Sequence, residues 1–118
     1  MTTFTTRAEH HIGVVEVVGA LDDEAVAALR GAIAKAVVEA KSPRVLINAD
    51  GITAISENAA LMMVVECATL RAKGGNAAWV CTNGQLNKPD SIPSATLYMS
   101  VYRSLSAALD LLGVEGTP

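Results

Sequence analysis

The strongest fold signal lies in residues 44–75, which read RVLINADGITAISENAALMMVVECATLRAKGG. The apolar run Val45-Leu46-Ile47 predicts a buried strand over 44–48, and the Asp50-Gly51 pair after it predicts a turn. A helical pattern then runs from Glu57 to Lys73. Since a strand that leads into a helix N-terminus leaves backbone N–H groups and side chains exposed at one edge, this junction is the natural place for a site.

The residues before this junction predict a hairpin and a helix. Two β-prone runs, 2–6 and 14–18, flank a turn signal at 10–13, which favours an N-terminal hairpin. Asp22 lies where a helix N-cap is expected, and the helix should cover 23–40. Gly31 inside that helix predicts a close packing contact, because glycine otherwise destabilises a helix interior. The inward stripe should consist of Val26, Leu29, Ile33, Ala36, Val37 and Ala40.

The residues after the junction complete an α/β fold. Gly74-Gly75 ends the second helix, and 76–82 predicts a third helix-flanked strand. Two prolines make 85–94 a loop, after which 97–102 predicts a last strand and 105–112 a closing helix. The expected architecture is a hairpin followed by βαβαβ: a mixed sheet packed with helices, in one domain over 1–118 with a loose tail at 113–118.

Composition excludes several function classes. Apolar residues make up 51% of the 118 positions but aromatic residues only 3%, so the core must consist mainly of small aliphatic side chains. The net charge is −3, with basic residues scattered singly, so nucleic acid is not an expected partner. No run approaches the roughly 18 apolar residues of a membrane span, which predicts a cytoplasmic protein without membrane insertion. The two cysteines lack the spacing of metal ligands. The adjacent His10 and His11 could bind a metal, but such a pair in a hairpin turn is usually solvated, so neither a metal nor a cofactor is predicted.

The candidate site residues surround the start of the second helix. Ser56 is placed as its N-cap, and Glu57 in its first turn compensates the helix dipole. On a helical wheel, the apolar arc consists of Leu61, Val64, Val65, Ala68 and Ala72, extended by Ala60, Met63, Cys67 and Leu70. The opposite polar arc consists of Asn58, Glu66, Thr69 and Lys73, with an exposed Met62 in its middle as a partner contact. The wide apolar arc leaves a homodimer open.

Three segments resemble the STAS domain family, the bacterial anti-sigma factor antagonists and their relatives. Residues 14–28, VVEVVGALDDEAVAA, are similar to the family's strand, Gly-x-Leu-Asp turn and helix. Residues 44–61 resemble its second signature, a strand followed by Asp-Ser-x-Gly-Leu at a helix start. Residues 102–109 are similar to its closing segment. The resemblance implies a non-enzymatic regulatory module that docks an anti-sigma factor kinase or other ATPase partner, through Asp22, Asp50, Ser56, Glu57, Asn58 and Met62.

The functional signature departs from the family pattern at the site itself. In the register of the resemblance, Ser56 replaces the family's Asp, Glu57 replaces the serine that a cognate kinase phosphorylates, and Ala59 replaces the Gly. Glu57 cannot be phosphorylated, and its carboxylate supplies roughly half the charge of a phosphoserine. A one-residue slip would instead make Ser56 the phosphorylated hydroxyl, although a capping hydroxyl is already engaged.

Two other functions stay open. A small ligand such as a nucleotide or lipid could bind between the second helix and the 85–94 loop, or the chain could be the STAS subunit of a lipid-transport ATPase complex. An enzyme has little support, because there is no phosphate-binding loop and no nucleophile elbow. Asp50 and Glu57 are the one candidate pair of catalytic carboxylates.

Overall fold

The computed structural model describes residues 2–9, 11–81, 101, 102, 106 and 108. Its strands are β1 (Thr3–Glu9), β2 (Ile12–Leu21), β3 (Arg44–Ile55), β4 (Asn76–Val80) and β5 (Val101–Tyr102). Its two long helices are α1 (Asp23–Ala40) and α2 (Glu57–Ala72). The strands form one sheet in the order β1-β2-β3-β4-β5, in which β1 is antiparallel to β2 and the other pairs are parallel. The predicted mixed α/β sheet is confirmed.

The N-terminal hairpin and α1 follow the sequence pattern closely. Thr3 pairs with Val18 and Glu9 with Ile12, and His11 at the turn has a positive φ of 62°. α1 has the predicted bounds, and five of its six predicted inward residues are buried, while Val37 is partly buried against the core. Lys41 ends the helix in the left-handed conformation, where the N–H groups of Lys41 and Ser42 bond the carbonyls of Val38 and Val37.

Both helices cover the same face of the sheet. Right-handed crossovers between neighbouring parallel strands, taken successively in one direction, place their helices on one side. The core on that side joins α1 and α2 to Val15, Val17, Val45, Ile47 and Trp79. The opposite face carries a smaller buried cluster of Ile12, Val14, Leu46, Ala78, Val80 and Ala108. Ala108 is helical, in line with the predicted closing helix.

β3 is much longer than predicted, and the expected turn at Asp50-Gly51 is wrong. The strand continues through both residues to Ile55 because Gly51 pairs with Val18 of β2. The register shifts twice along this pair, and β3 carries one more residue than β2 at each shift. A Cβ on Gly51 would lie 2.8 Å from the Val17 carbonyl oxygen, so the glycine permits close approach between strands rather than a turn.

Apolar residues cover a wide arc of α2, and the helical wheel assigned the wrong part of this arc to the core. Ala59, Ala60, Met63, Cys67 and Leu70 are buried, whereas Leu61, Val65, Ala68 and Ala72 are exposed. Of the predicted polar arc, Asn58, Thr69 and Lys73 are exposed as expected. Glu66 instead lies against α1: its carboxylate pairs with Arg30 at 2.7 Å, and its side chain is only 15% exposed. Hydrophobicity alone could not locate the core side, because apolar residues cover more of this helix than the core contacts.

The predicted loop at 85–94 and the tail at 113–118 lie outside the described residues. So does most of the predicted last strand, of which Val101 and Tyr102 are described as β5. No described helix is long and apolar enough to cross a membrane.

Candidate functional site

The candidate site lies where β2 and β3 end and both helices begin. Leu21 and Ile55 are paired at the ends of these parallel strands, and the Ser56 N–H donates to the Leu21 carbonyl at 2.9 Å. α1 starts two residues after Leu21, and α2 starts two residues after Ile55. The positive ends of two helix dipoles therefore lie side by side at one edge of the sheet.

Both helices are capped by the predicted side chains. The Asp22 carboxylate accepts the Ala25 N–H at 2.9 Å, and the Ser56 hydroxyl accepts the Ala59 N–H at 3.1 Å. Both cap residues have extended backbone, as N-caps require. The N-cap assignments of Asp22 and Ser56 are confirmed.

Asp23 joins the two helix starts through both of its carboxylate oxygens. The Ser56 hydroxyl donates to Oδ1 at 2.6 Å, and the Asn58 side-chain amide donates to Oδ2 at 3.0 Å. Sequence reasoning placed Asp23 only in the first turn of α1 and missed this bridge. More than thirty residues separate the partners, and no local pattern carries such a contact.

The bridge favours the ionised form of Asp23. The hydrogen bond from Ser56, followed by that from Asn58, lowers the pKa of this carboxyl below its ordinary value of 3.8. The Ser56 hydroxyl thereby donates its proton to Asp23 while its oxygen accepts from Ala59. Phosphorylation of Ser56 would remove the proton of this hydroxyl and with it the hydrogen bond to Asp23.

The pH dependence of stability should report this bridge. Because the folded pKa of Asp23 is lowered, its contribution is present above about pH 4 and is lost as pH falls through the lowered value. We expect the difference in unfolding free energy between the wild type and Asp23→Asn, measured by urea denaturation, to shrink as pH falls from 6 to 3. Glu24→Gln, which removes a charge from the same helix turn, is the control and should show a smaller change. A difference independent of pH for Asp23→Asn would contradict the bridge.

The edge is strongly acidic. Asp22, Asp23 and Glu24 line a cleft together with Ser56, and Glu57 is exposed in the first turn of α2. Negative side chains already compensate both helix dipoles, so this edge disfavours a phosphate-like anion and suits a cationic partner surface. Within the described part of the chain, no three His, Cys, Asp or Glu side chains are arranged so that they could hold a metal ion.

The structure brings together four of the six predicted site residues. Asp22, Ser56, Glu57 and Asn58 share the edge, and Glu57 opens α2 facing solvent, as predicted. Met62 is half-buried rather than exposed, because it lies one turn after Asn58 on the face of α2 that packs towards α1. Asp50 lies five residues before the end of β3, roughly 16 Å back along the strand, so it forms no carboxylate pair with Glu57. Its N–H donates to the Asn48 side chain at 3.0 Å.

Comparison with known proteins gives one family match and several solved structures of similar fold. The family model of the STAS domain matches residues 3–107. Similar solved structures include a proposed anti-sigma factor antagonist from Thermotoga maritima, with a TM-score of 0.71 and 10% identity over 93% of this chain and 94% of that one. An anti-sigma factor antagonist from Mycobacterium paratuberculosis gives 0.67 and 19%, covering 96% and 95%. Unphosphorylated SpoIIAA, also an anti-sigma factor antagonist, gives 0.64 and 18%, covering 98% and 100%. A search of the curated proteins found no match.

Proposed function

Because the chain belongs to the STAS domain family, we propose that it is a non-enzymatic interaction module of the anti-sigma factor antagonist type. Its partner in this proposal is a kinase-like or other ATPase protein. The docking surface is the acidic edge formed by Asp22, Ser56, Glu57 and Asn58, with the accessible side of Met62. Asp50 lies apart on β3 and is not needed for it.

The proposal rests on the different surroundings of Ser56 and Glu57. The Ser56 hydroxyl is engaged by Asp23 and Ala59, whereas the Glu57 carboxylate is exposed at the start of α2. Glu57 then acts as a permanent negative charge where a regulated antagonist would carry a phosphorylatable serine. A carboxylate supplies about half the charge of a phosphoserine, so the docking surface stays partly in the charged state without a kinase.

The geometry gives less support to a catalytic function at this edge. Asp50 and Glu57 are separated along the strand, so the one carboxylate pair suggested by the sequence does not form. Asp23 is held in its ionised form by donated hydrogen bonds, which makes it a poor general acid.

A capture experiment with the wild type and three variants tests the proposal. The wild type, Glu57→Ser, Glu57→Ala and Glu39→Ala chains are immobilised and exposed to lysate of the source cell, and bound proteins are identified by mass spectrometry. Glu39 is a matched control, since it is an exposed carboxylate near the opposite end of α1. We expect an ATPase on the wild type, a several-fold change in its retention by both Glu57 variants, and none by Glu39→Ala.

The identity of the captured protein also distinguishes a kinase partner from a transport ATPase partner. If it is a kinase, incubation with ATP should place phosphate at position 57 of Glu57→Ser and on no residue of the wild-type edge. Capture of a membrane-transport ATPase would instead assign the chain to a lipid-transport complex. Failure of all four chains to retain an ATPase would refute the proposal.

A further inference from the structure

The outer surface of the helix layer carries two parallel apolar stripes. Each helix presents four small or aliphatic residues to solvent at the spacing i, i+4, i+7, i+11, which is the spacing of a coiled-coil seam. The stripe of α1 is Ala27, Gly31, Ala34 and Val38, and that of α2 is Leu61, Val65, Ala68 and Ala72; all eight are exposed.

These stripes contain most of the large apolar side chains exposed on the described surface. Val38 is 75% exposed, Leu61 50% and Val65 53%; the other such residue is Val18, which lies on the opposite face of the sheet. Between the stripes runs a groove of about 530 Å³ whose walls include Gly31, Val65 and Thr69. A Cβ added at Gly31 would meet nothing within 4 Å, so the glycine leaves open space in this surface.

Opposite charges lie at the two ends of this surface. Asp23, Glu24 and Glu57 are exposed where the helices begin, and Lys41, Arg71 and Lys73 are exposed where they end. The charged groups between them are paired: Lys35 with Glu39 at 3.9 Å and Arg30 with Glu66 at 2.7 Å. The surface therefore has one acidic and one basic end.

We propose that this surface binds a second copy of the same chain, with the helices of the two copies antiparallel. The two-fold axis then lies in the interface, perpendicular to the helices, and brings each acidic end over the partner's basic end. A two-fold axis parallel to the helices would place like ends together, so charge selects the antiparallel arrangement.

Side-chain sizes fit the same arrangement. In α2 the antiparallel register sets Leu61 over Ala72 of the partner subunit and Val65 over Ala68 of the partner subunit. In α1 it sets Val38 over Ala27 of the partner subunit and Gly31 over Ala34 of the partner subunit. Each larger residue of α2 thus meets a smaller one. The two helices start side by side at the same edge, and the midpoints of the two stripes lie equally far from those starts, so one two-fold axis can relate both pairs of helices.

The size of the surface predicts a weak dimer. Two helices of about 10 Å diameter and stripes about 18 Å long give a footprint of roughly 400 Å² per chain. A standard stable interface buries about 800 Å² per partner, so we expect a dissociation constant on the order of 10–100 µM.

Sedimentation equilibrium over a range of concentrations up to about 1 mM, far above the expected constant, tests the dimer. Val65→Lys should weaken it at least about tenfold, because it places a charge at the centre of the apolar surface. Val18→Lys is a matched control with the same substitution at a similarly exposed valine on the other sheet face, and it should leave the constant unchanged. A wild type that stays monomeric, a Val65→Lys dimer of wild-type strength, or equal loss in Val18→Lys would each overturn the proposal.

Cross-linking tests the antiparallel register separately. Leu61→Cys and Ala72→Cys chains are mixed under mild oxidation, and the two native cysteines are buried. The antiparallel dimer should give the mixed disulfide between positions 61 and 72. Its absence from a wild-type-strength dimer would overturn the proposed arrangement.

Discussion

Replacing Gly75 with alanine is expected to lower the free energy of unfolding by roughly 3 kcal/mol. Gly75 lies between α2 and β4, where an added Cβ would overlap the backbone carbonyl of Pro43. The same carbonyl accepts the Asn76 N–H at 3.2 Å, and the Gly75 N–H closes α2 on the Leu70 carbonyl at 2.8 Å. Relief of the overlap must therefore break a bond that starts the β3–β4 pairing or one that ends the helix. Urea denaturation followed by circular dichroism measures the change.

Gly31→Ala is the matched control for that substitution. It is the same replacement at a glycine in the interior of α1, where nothing lies within 4 Å of the added Cβ. Alanine is the better helix former, so we expect the variant to gain up to about 1 kcal/mol. Both variants are measured well below the concentration at which the chain self-associates. Equal effects of the two substitutions would contradict the packing described around Gly75.

The sequence predicted the elements that local patterns determine. The bounds of α1 follow from Asp22 at its start and from Lys41-Ser42-Pro43 at its end, and both signals act within a few residues. The close packing contact predicted at Gly31 was wrong, since nothing lies within 4 Å of a Cβ added there. A glycine in a helix does not show which neighbour, if any, approaches it. The turn predicted at Asp50-Gly51 was wrong for a related reason. Pairing of β3 with β2 overrode the local preference of these two residues for a turn.

The candidate site could be predicted only in part. The caps and the exposed Glu57 follow from residue type at a helix start, and the structure confirms them. The Asp23 bridge and the orientation of Met62 depend on how α1 lies beside α2, which no single helix encodes. The interface between the helices carries Arg30, Glu66 and Asp23, polar residues that a wheel assigns to solvent.

Replacing Trp79 with alanine should have the largest effect of any substitution considered, roughly 3–5 kcal/mol. Trp79 is the only tryptophan and is fully buried on β4 in the core beneath the helices. A domain is typically stable by only about 5–15 kcal/mol, so Trp79→Ala should lie close to the limit of folding. The measurement is urea denaturation followed by circular dichroism, since the fluorophore is removed.

The Trp79→Phe variant separates the cost of the buried indole N–H from the stability that the volume of the side chain contributes. The indole N–H is buried and makes no hydrogen bond within the described part of the chain, which costs about 1–3 kcal/mol. Phenylalanine removes that group and leaves a cavity whose cost is about 1 kcal/mol. Because the two effects oppose each other, we expect Trp79→Phe to stay within about 1 kcal/mol of the wild type. The candidate acceptor is the Cys67 thiol, although no hydrogen bond to it meets the usual geometry. Burial raises the pKa of this thiol, and a smaller effect of the indole N–H lowers it. A loss close to that of Trp79→Ala would contradict this balance, because it would show that the lost packing far outweighs the gain from removing the buried N–H.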